Sequence, residues 1–427
     1  MKLPAPPLWF AAWACAQALA GAAAAAPLPV ASPASEGFSS ARLARLETFM
    51  RSATNAPGYL GAVTLIARHG KLVDWRAFGQ RDLARGSPMA RDSIFRIYSM
   101  TKTVATVALL MLMEEGRLTL EDPIAEHLPA FAKARVFAGG TADAPALRAP
   151  ERPITIRHLL THTAGFATGG PGMEEAARLL ERAELPRSAD LQDFADRVSR
   201  APLGADPGTR FNYDGVNTEV LSRLVEVVSG QRFDAFLQQR IFEPLRMVDT
   251  GFSVPARERE RIADLTAMGS DGRLTLGPGR SAVAPGEMLN AYFSGAGGLY
   301  SSGPDYLRFC QMLLNGGELE GAQLLGRKSV ELMTRDHLAQ LDPPVTPFSR
   351  AEGFGLGGSI VIEVARRGRL SSIGAFGWSG AASTYFTIDP AEQLIAILLM
   401  QHLPRDDVPD LPKLSAKFYN LVYQALR

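Results

Sequence analysis

Apolar positions along this chain follow two periods, and the period changes as the chain proceeds. The stretch from Thr103 to Met113 is apolar nearly all round and free of Gly and Pro. It predicts a buried helix that ends at the polar Glu114, Glu115 and Gly116. Helical spacing also marks Ser39 to Met50, with Leu43, Leu46, Phe49 and Met50 on one face. It marks Asn217 to Ser229 as well, with Val220, Leu221, Leu224, Val225 and Val228 facing a core. Shorter helices are predicted over Thr155–Leu160, Phe233–Phe242 and Asp305–Leu314, and a final one over Leu411–Leu426. Residues 170–200, rich in Glu, Arg and Ala, read as surface helices. Strand-like runs occur at Gly61–Arg68 and Leu72–Phe78, joined by a His69-Gly70-Lys71 turn. Three more close the chain, at Ser359–Glu363, Ser383–Ile388 and Gln393–Gln401. Pro255 to Pro285 is polar and Gly-rich, a loop suited to a lid, and Gly295 to Pro304 reads as a flexible lead into a helix. Strands thus cluster at the two ends and helices in the middle. The expected fold is α+β: an antiparallel sheet built from N- and C-terminal segments and flanked by helices, with a mainly helical region inserted. The boundaries expected are residues 36–98 with 287–427 for the sheet domain, and 99–286 for the helical one.

Composition narrows the class. The chain has 427 residues, with 45 basic against 44 acidic side chains. That balance gives no field to draw a polyanion, and no basic block or aromatic–basic interleaving suggests nucleic acid. Six histidines are scattered, without a His-Glu-x-x-His pattern or a Cys pair, so neither a metal nor another cofactor is expected. Gly321 to Ser329 only approximates a phosphate loop, because Arg327 pushes Lys328 one place too far. Gly353 to Gly357 leads into a strand rather than a helix and is no dinucleotide fingerprint. At the N-terminus, Lys2, the apolar run 8–20 and the small residues 22–26 form an export signal over residues 1–26. The run is too short for a stable membrane span. Its removal leaves Cys310 alone, without an internal disulfide, which fits a bacterial periplasm or secretion.

The candidate chemistry lies at the start of the most apolar helix. Ser99 and Lys102 stand three residues apart, on one helical face. A serine hydroxyl becomes a nucleophile when a neighbour takes its proton, and an amine one turn away can do so if its site lowers its pKa. The helix N-terminus favours negative charge on the attacked group. Spacing alone leaves a bland alternative, with Ser99 as a cap and Lys102 as a solvated residue. The context argues against it, because the helix is too apolar to lie at the surface. His162, in Thr161-His162-Thr163, reads as a packed histidine rather than a base.

Several segments occur in a telling order. They are Ser99-Met100-Thr101-Lys102 with its helix, Leu159 to Gly165, Phe211-Asn212-Tyr213, Gly297 to Ser302, and Gly377-Trp378-Ser379-Gly380-Ala381. Together they resemble the serine β-lactamase and penicillin-binding-protein superfamily over roughly residues 36–427. The likeness is greatest to class C β-lactamases and the family VIII carboxylesterases that share their fold. The resemblance implies a β-lactamase-like fold with Ser99 as the acylated nucleophile and Lys102 as its cationic partner or base. It implies Tyr213 as the proton shuttle, which a nearby ammonium would help to ionise. The backbone N–H groups of Ser99 and Ala381 would form the oxyanion hole, and Trp378, Ser379 and Gly380 would line the substrate site.

Two departures from the β-lactamase pattern matter. Trp378 stands where those enzymes carry a cation for the substrate carboxylate. Gly215 stands where an Asn usually follows the tyrosine, and Asn217, though near, is not at that position. Both remove polar recognition and favour small, short-acyl esters, without excluding slow β-lactam turnover. The alternatives are a β-lactamase or D-amino-acid peptidase on the same scaffold, and a non-catalytic cell-wall sensor module. No Gly-x-Ser-x-Gly occurs, which weakens an α/β-hydrolase reading.

Overall fold

The computed structural model describes residues 28–55, 57–346 and 349–427. The signal segment expected over residues 1–26 lies outside them. The N-terminal strand runs read from the sequence form β1 (Gly61–Arg68) and β2 (Lys71–Gly79). Five C-terminal strands complete an antiparallel sheet: β3 (Glu352–Phe354), β4 (Ser359–Val361), β5 (Phe376–Gly380), β6 (Thr384–Asp389) and β7 (Leu394–Leu399). The strand order is β3-β4-β5-β6-β7-β1-β2. The two chain ends therefore meet at the β7–β1 seam, where Val63 pairs with Leu399 and Arg68 with Leu394.

The central strands are covered on both faces, which explains why β7 is apolar throughout and β1 is apolar from Gly61 to Ala67 but for Thr64. On β1 and β7, Ala62, Ile66, Leu394, Ala396 and Leu398 face one cluster with the helices α1 (Ser40–Ala53) and, at the C-terminus, Ser415–Tyr423. Val63, Leu65, Ala67, Ile395, Ile397 and Leu399 face the larger cluster. That cluster contains α2 (Thr101–Glu114), α3 (Val216–Ser229) and α4 (Gly303–Leu314). Truncating one of these buried aliphatic residues to Ala would cost about 2–5 kcal/mol.

Helix α2 is buried from Thr101 to Leu112. Its polar residues are satisfied inside the fold. Thr101 Oγ1 accepts the Leu299 N–H, and the Thr103 hydroxyl donates to the Gly357 carbonyl. Gly357 has φ +75°, and a Cβ there would fall 2.3 Å from Thr106 Oγ1, so this approach requires glycine. Among the described residues, no helix is long and apolar enough to cross a membrane.

Several sequence expectations change. The third-motif segment, expected to precede a strand, is itself the strand β5. Its glycines depress strand propensity, and pairing with β6 overrides that. Pro255 to Pro285 is not all loop. Thr266–Met268 pairs with Leu274–Leu276, and the Thr266 N–H donates to the Gln401 carbonyl. Gly295 to Pro304 is not a flexible lead: Leu299 to Ser302 are buried, and Tyr300–Ser302 pairs with Ile94–Arg96. Strands of three residues carry too little periodicity to read in advance.

Candidate active site

The chain leaves the Ile94–Arg96 strand and bends sharply at Tyr98, whose φ is +43°. A single 3₁₀ turn, Tyr98–Met100, then feeds α2 at Thr101. Ser99 sits in that turn, half-buried, and no side-chain cap bond is formed there. The Tyr306 hydroxyl, fully buried, donates to the Met100 carbonyl and pins the turn from behind. Strand β5 lies against its front. A Cβ on Gly380 would fall 2.3 Å from the Ile97 carbonyl oxygen, so only glycine lets the strand come this close. Ala381 follows directly.

Lys102 is 4 % exposed. Its Nζ lies 3.2 Å from Ser99 Oγ and donates to the Ala296 carbonyl at 2.7 Å. Nζ also stands 5.0 Å from the centre of the Tyr213 ring, within cation–π range. Among the described residues, no carboxylate lies within ion-pair distance of Lys102. A buried amine next to a serine hydroxyl, with a backbone carbonyl as its other anchor, is suited to proton exchange with that hydroxyl.

Tyr213 precedes α3 and is 37 % exposed, with its ring at the mouth of the site. It is held by side chains. The His162 ring is centred 4.7 Å away and the Trp378 ring 5.0 Å away. Trp378 Nε1–H donates to the Tyr213 hydroxyl at 3.0 Å. Phe354, from β3, meets Trp378 edge-on at 5.2 Å. Trp378 thus does more than present an apolar surface: its N–H directs a lone pair and the hydroxyl proton of the candidate shuttle. Trp378 and Gly380 share the face of β5 that meets the site. Ser379, opposite Tyr385, points its side chain to the other face.

His162 is buried, and burial holds its ring well below the usual imidazole range, with the Lys102 charge adding to the effect. It is packed, as the sequence reading has it, burial favours its neutral form, and its Nδ1 accepts the Asp214 N–H at 3.4 Å. Asn217 does not stand in for the missing second-motif amide. Its backbone N–H and its Nδ2 both donate to Asp214 Oδ1, at 2.9 and 2.8 Å. At Gly215 an added Cβ would lie 3.4 Å from the Ala296 Cβ, so this position abuts the turn that anchors Lys102.

Sequence reasoning missed the Ala296 carbonyl, the Trp378–Tyr213 bond and Phe354. A backbone acceptor leaves no signature in side-chain identity, and cross-strand neighbours depend on a register that short strands do not reveal. A cleft of about 710 Å³ lined by residues including Asp92, Asp249 and Arg261 has none of Ser99, Lys102, Tyr213 or Trp378 in its wall. Among the described residues, no group of three His, Cys, Asp or Glu side chains is placed to hold a metal ion.

Fold and site together define an enzyme of the serine β-lactamase fold. The family model described as Beta-lactamase matches residues 46–418, and the chain belongs to that family. An uncharacterized protein of Mycobacterium tuberculosis is 34% identical over 388 residues, covering 86% of this chain and 94% of its own. Esterase EstB of Burkholderia gladioli is 30% identical over 380 residues, covering 83% and 89%. Among solved structures, the Simvastatin Synthase LovD of Aspergillus terreus superposes with a TM-score of 0.73 at 26% identity, covering 90% and 98%.

Proposed function

We propose that this protein is an exported serine carboxylesterase that cleaves small, short-acyl esters through an acyl-enzyme on Ser99. The observation that carries this reading is the Ser99–Lys102 contact, with Lys102 also facing Tyr213 and an uncharged indole closing the aromatic side. In the first step Ser99 Oγ attacks the ester carbonyl carbon and gives up its proton towards Lys102 and Tyr213. The carbonyl oxygen gains the negative charge, which the N–H groups of Ser99 and Ala381 receive. Collapse expels the alcohol, which takes the proton back from the Tyr213 side. Water then repeats the sequence against the acyl-enzyme, and the carboxylic acid leaves. Similarity to EstB, whose name is that of an esterase, supports the ester reading.

Trp378 weighs against β-lactams as the main substrates. A substrate carboxylate placed against an indole is unpaired, and desolvating it is costly. The test compares kcat/KM for p-nitrophenyl butyrate and nitrocefin, with mass spectrometry of the intact protein after each. The ester is expected to win by a factor of ~10² or more, with a butyryl mass on Ser99. Trp378→Lys should move the ratio towards nitrocefin. If the parent hydrolyses nitrocefin as well as the ester, the β-lactamase alternative replaces this reading.

A further inference from the structure

Glu219 lies on the first turn of α3 and is 4 % exposed. Its Oε1 accepts the Ser294 hydroxyl at 2.5 Å, and its Oε2 accepts the Gly295 N–H at 3.1 Å. The next residue, Ala296, gives its carbonyl to Lys102 Nζ. Gly295 is pressed onto α3, since a Cβ there would fall 2.0 Å from Ser222 Oγ. One short turn is thus clamped by the carboxylate at two successive residues and presents the lysine's acceptor at the third.

We infer that Glu219 is a positioning residue for acyl transfer: by fixing Ser294 and Gly295 it aims the Ala296 carbonyl at Lys102 and so holds the amine on Ser99 Oγ. The inference rests on the reading of Ser99 and Lys102 as the reacting pair. An ammonium has three donors on a flexible stem, and its tightest anchor sets where the others point. At 2.7 Å that anchor is the Ala296 carbonyl, against 3.2 Å to Ser99 Oγ. Burial pushes the Glu219 carboxyl up to about 7, against the opposing pull of the Ser294 hydroxyl and the Lys102 charge. The positioning role rests on its two hydrogen bonds, to the Ser294 hydroxyl and the Gly295 N–H. A glutamine can keep both, with its oxygen accepting from Gly295 and its NH₂ donating to Ser294 Oγ. A leucine keeps the volume and neither bond.

Two variants and a label test this on the full-length protein with p-nitrophenyl butyrate. Glu219→Leu is expected to lower kcat about tenfold or more with KM within about twofold, because misplacing a reacting group falls on the chemical step. Glu219→Gln should stay within about threefold of the parent in kcat. A leucine variant with the parent's kcat overturns the inference, and so does a glutamine variant as slow as the leucine one. Should the leucine variant not fold, Ser294→Ala removes half the clamp without touching α3. It should lower kcat about fivefold at unchanged KM, and an unchanged kcat is equally fatal. A fluorophosphonate label mapped by peptide mass spectrometry separates the two claims. A label away from Ser99 in the parent overturns the reading of the reacting pair. A label on Ser99 that forms as fast in Glu219→Leu as in the parent overturns only the role of Glu219.

Discussion

The two walls of the site are built in opposite ways. The wall carrying Ser99 and Lys102 is the buried end of α2, pinned by the Tyr306 hydroxyl, by the close approach of Gly380 from β5 and by the Ala296 carbonyl. The wall carrying Tyr213 and Trp378 is aromatic and open, and its main polar tie is the indole N–H on the phenol oxygen. The first wall is fixed by backbone packing and tolerates little movement. The second owes the placement of its side chains to ring contacts and the indole–phenol hydrogen bond, so its geometry responds to single side chains. Under the proposed reaction, changing the second wall alters which substrate is held and leaves the chemistry on the first.

The largest effect is expected on the first wall. Ser99→Ala should lower kcat/KM for p-nitrophenyl butyrate by ~10⁴ or more, because no other group there can carry the acyl. Thermal unfolding should shift little, since Ser99 makes no cap bond that alanine would forfeit. A folded alanine variant with substantial turnover breaks the assignment of the two walls altogether. On the second wall, Tyr213→Phe should lower kcat by ~10²–10⁴ and leave KM near the parent's, the usual size for a lost proton-transfer group. A change confined to KM would make Tyr213 a substrate-positioning residue.

The sequence exposed the first wall more fully than the second, for physical reasons. An all-apolar helix with a lysine in its first turn is a conflict of patterns that only burial resolves, so Lys102 stands out. The seam of β1 and β7 was legible because strands covered on both faces are apolar nearly throughout. Tyr213 and Trp378 were singled out through resemblance to a family. Their contact was not, because it depends on where β5 falls in the sheet, and the glycines of that strand mask it. The 3₁₀ turn at Tyr98–Met100 also stayed hidden, and from the sequence Ser99 reads as the start of the helix itself. A left-handed tyrosine just before it could not be anticipated from residue type. Glu219 was passed over because a carboxylate within an amphipathic helix reads as solvated unless its partners are known.

A smaller effect sharpens the contrast. Trp378→Phe keeps a ring against Tyr213 but removes the N–H that its hydroxyl accepts. A neutral hydrogen bond has a net worth of about 1 kcal/mol, so kcat should fall roughly fivefold, with stability nearly unchanged. An unchanged kcat would mean that ring packing alone orients the phenol, and the second wall would then be apolar in function as well as in composition.

The smallest effect on activity is expected at Asp305, which repeats the Glu219 arrangement away from the reacting groups. On α4, Asp305 Oδ2 accepts the Asp249 N–H at 2.7 Å and the Thr250 hydroxyl at 2.9 Å, again a backbone amide and an adjacent hydroxyl. Burial first, and then the like charge of Asp249, pushes its carboxyl up to about 7. Its Oδ1 is buried with no hydrogen-bond partner among the described residues. Because the folded pKa lies above the ordinary aspartate value, the contribution to stability is whole below about pH 4, where both states are neutral. It is lost as the pH rises to 7, because the unfolded chain ionises first. Asp305→Asn should therefore flatten the decline of Tm between pH 5 and pH 8 relative to the parent. Its Tm at pH 5 should be lower, since a buried amide N–H without an acceptor costs about 1–3 kcal/mol. Ester turnover at pH 7 should stay within about twofold of the parent, because neither Asp249 nor Thr250 touches the groups around Ser99. Equal Tm slopes in the two proteins would remove Asp305 as the titrating group. A kcat loss as large as that expected for Glu219→Leu would show that the clamp matters wherever it sits, and not because Ala296 and Lys102 lie beside it.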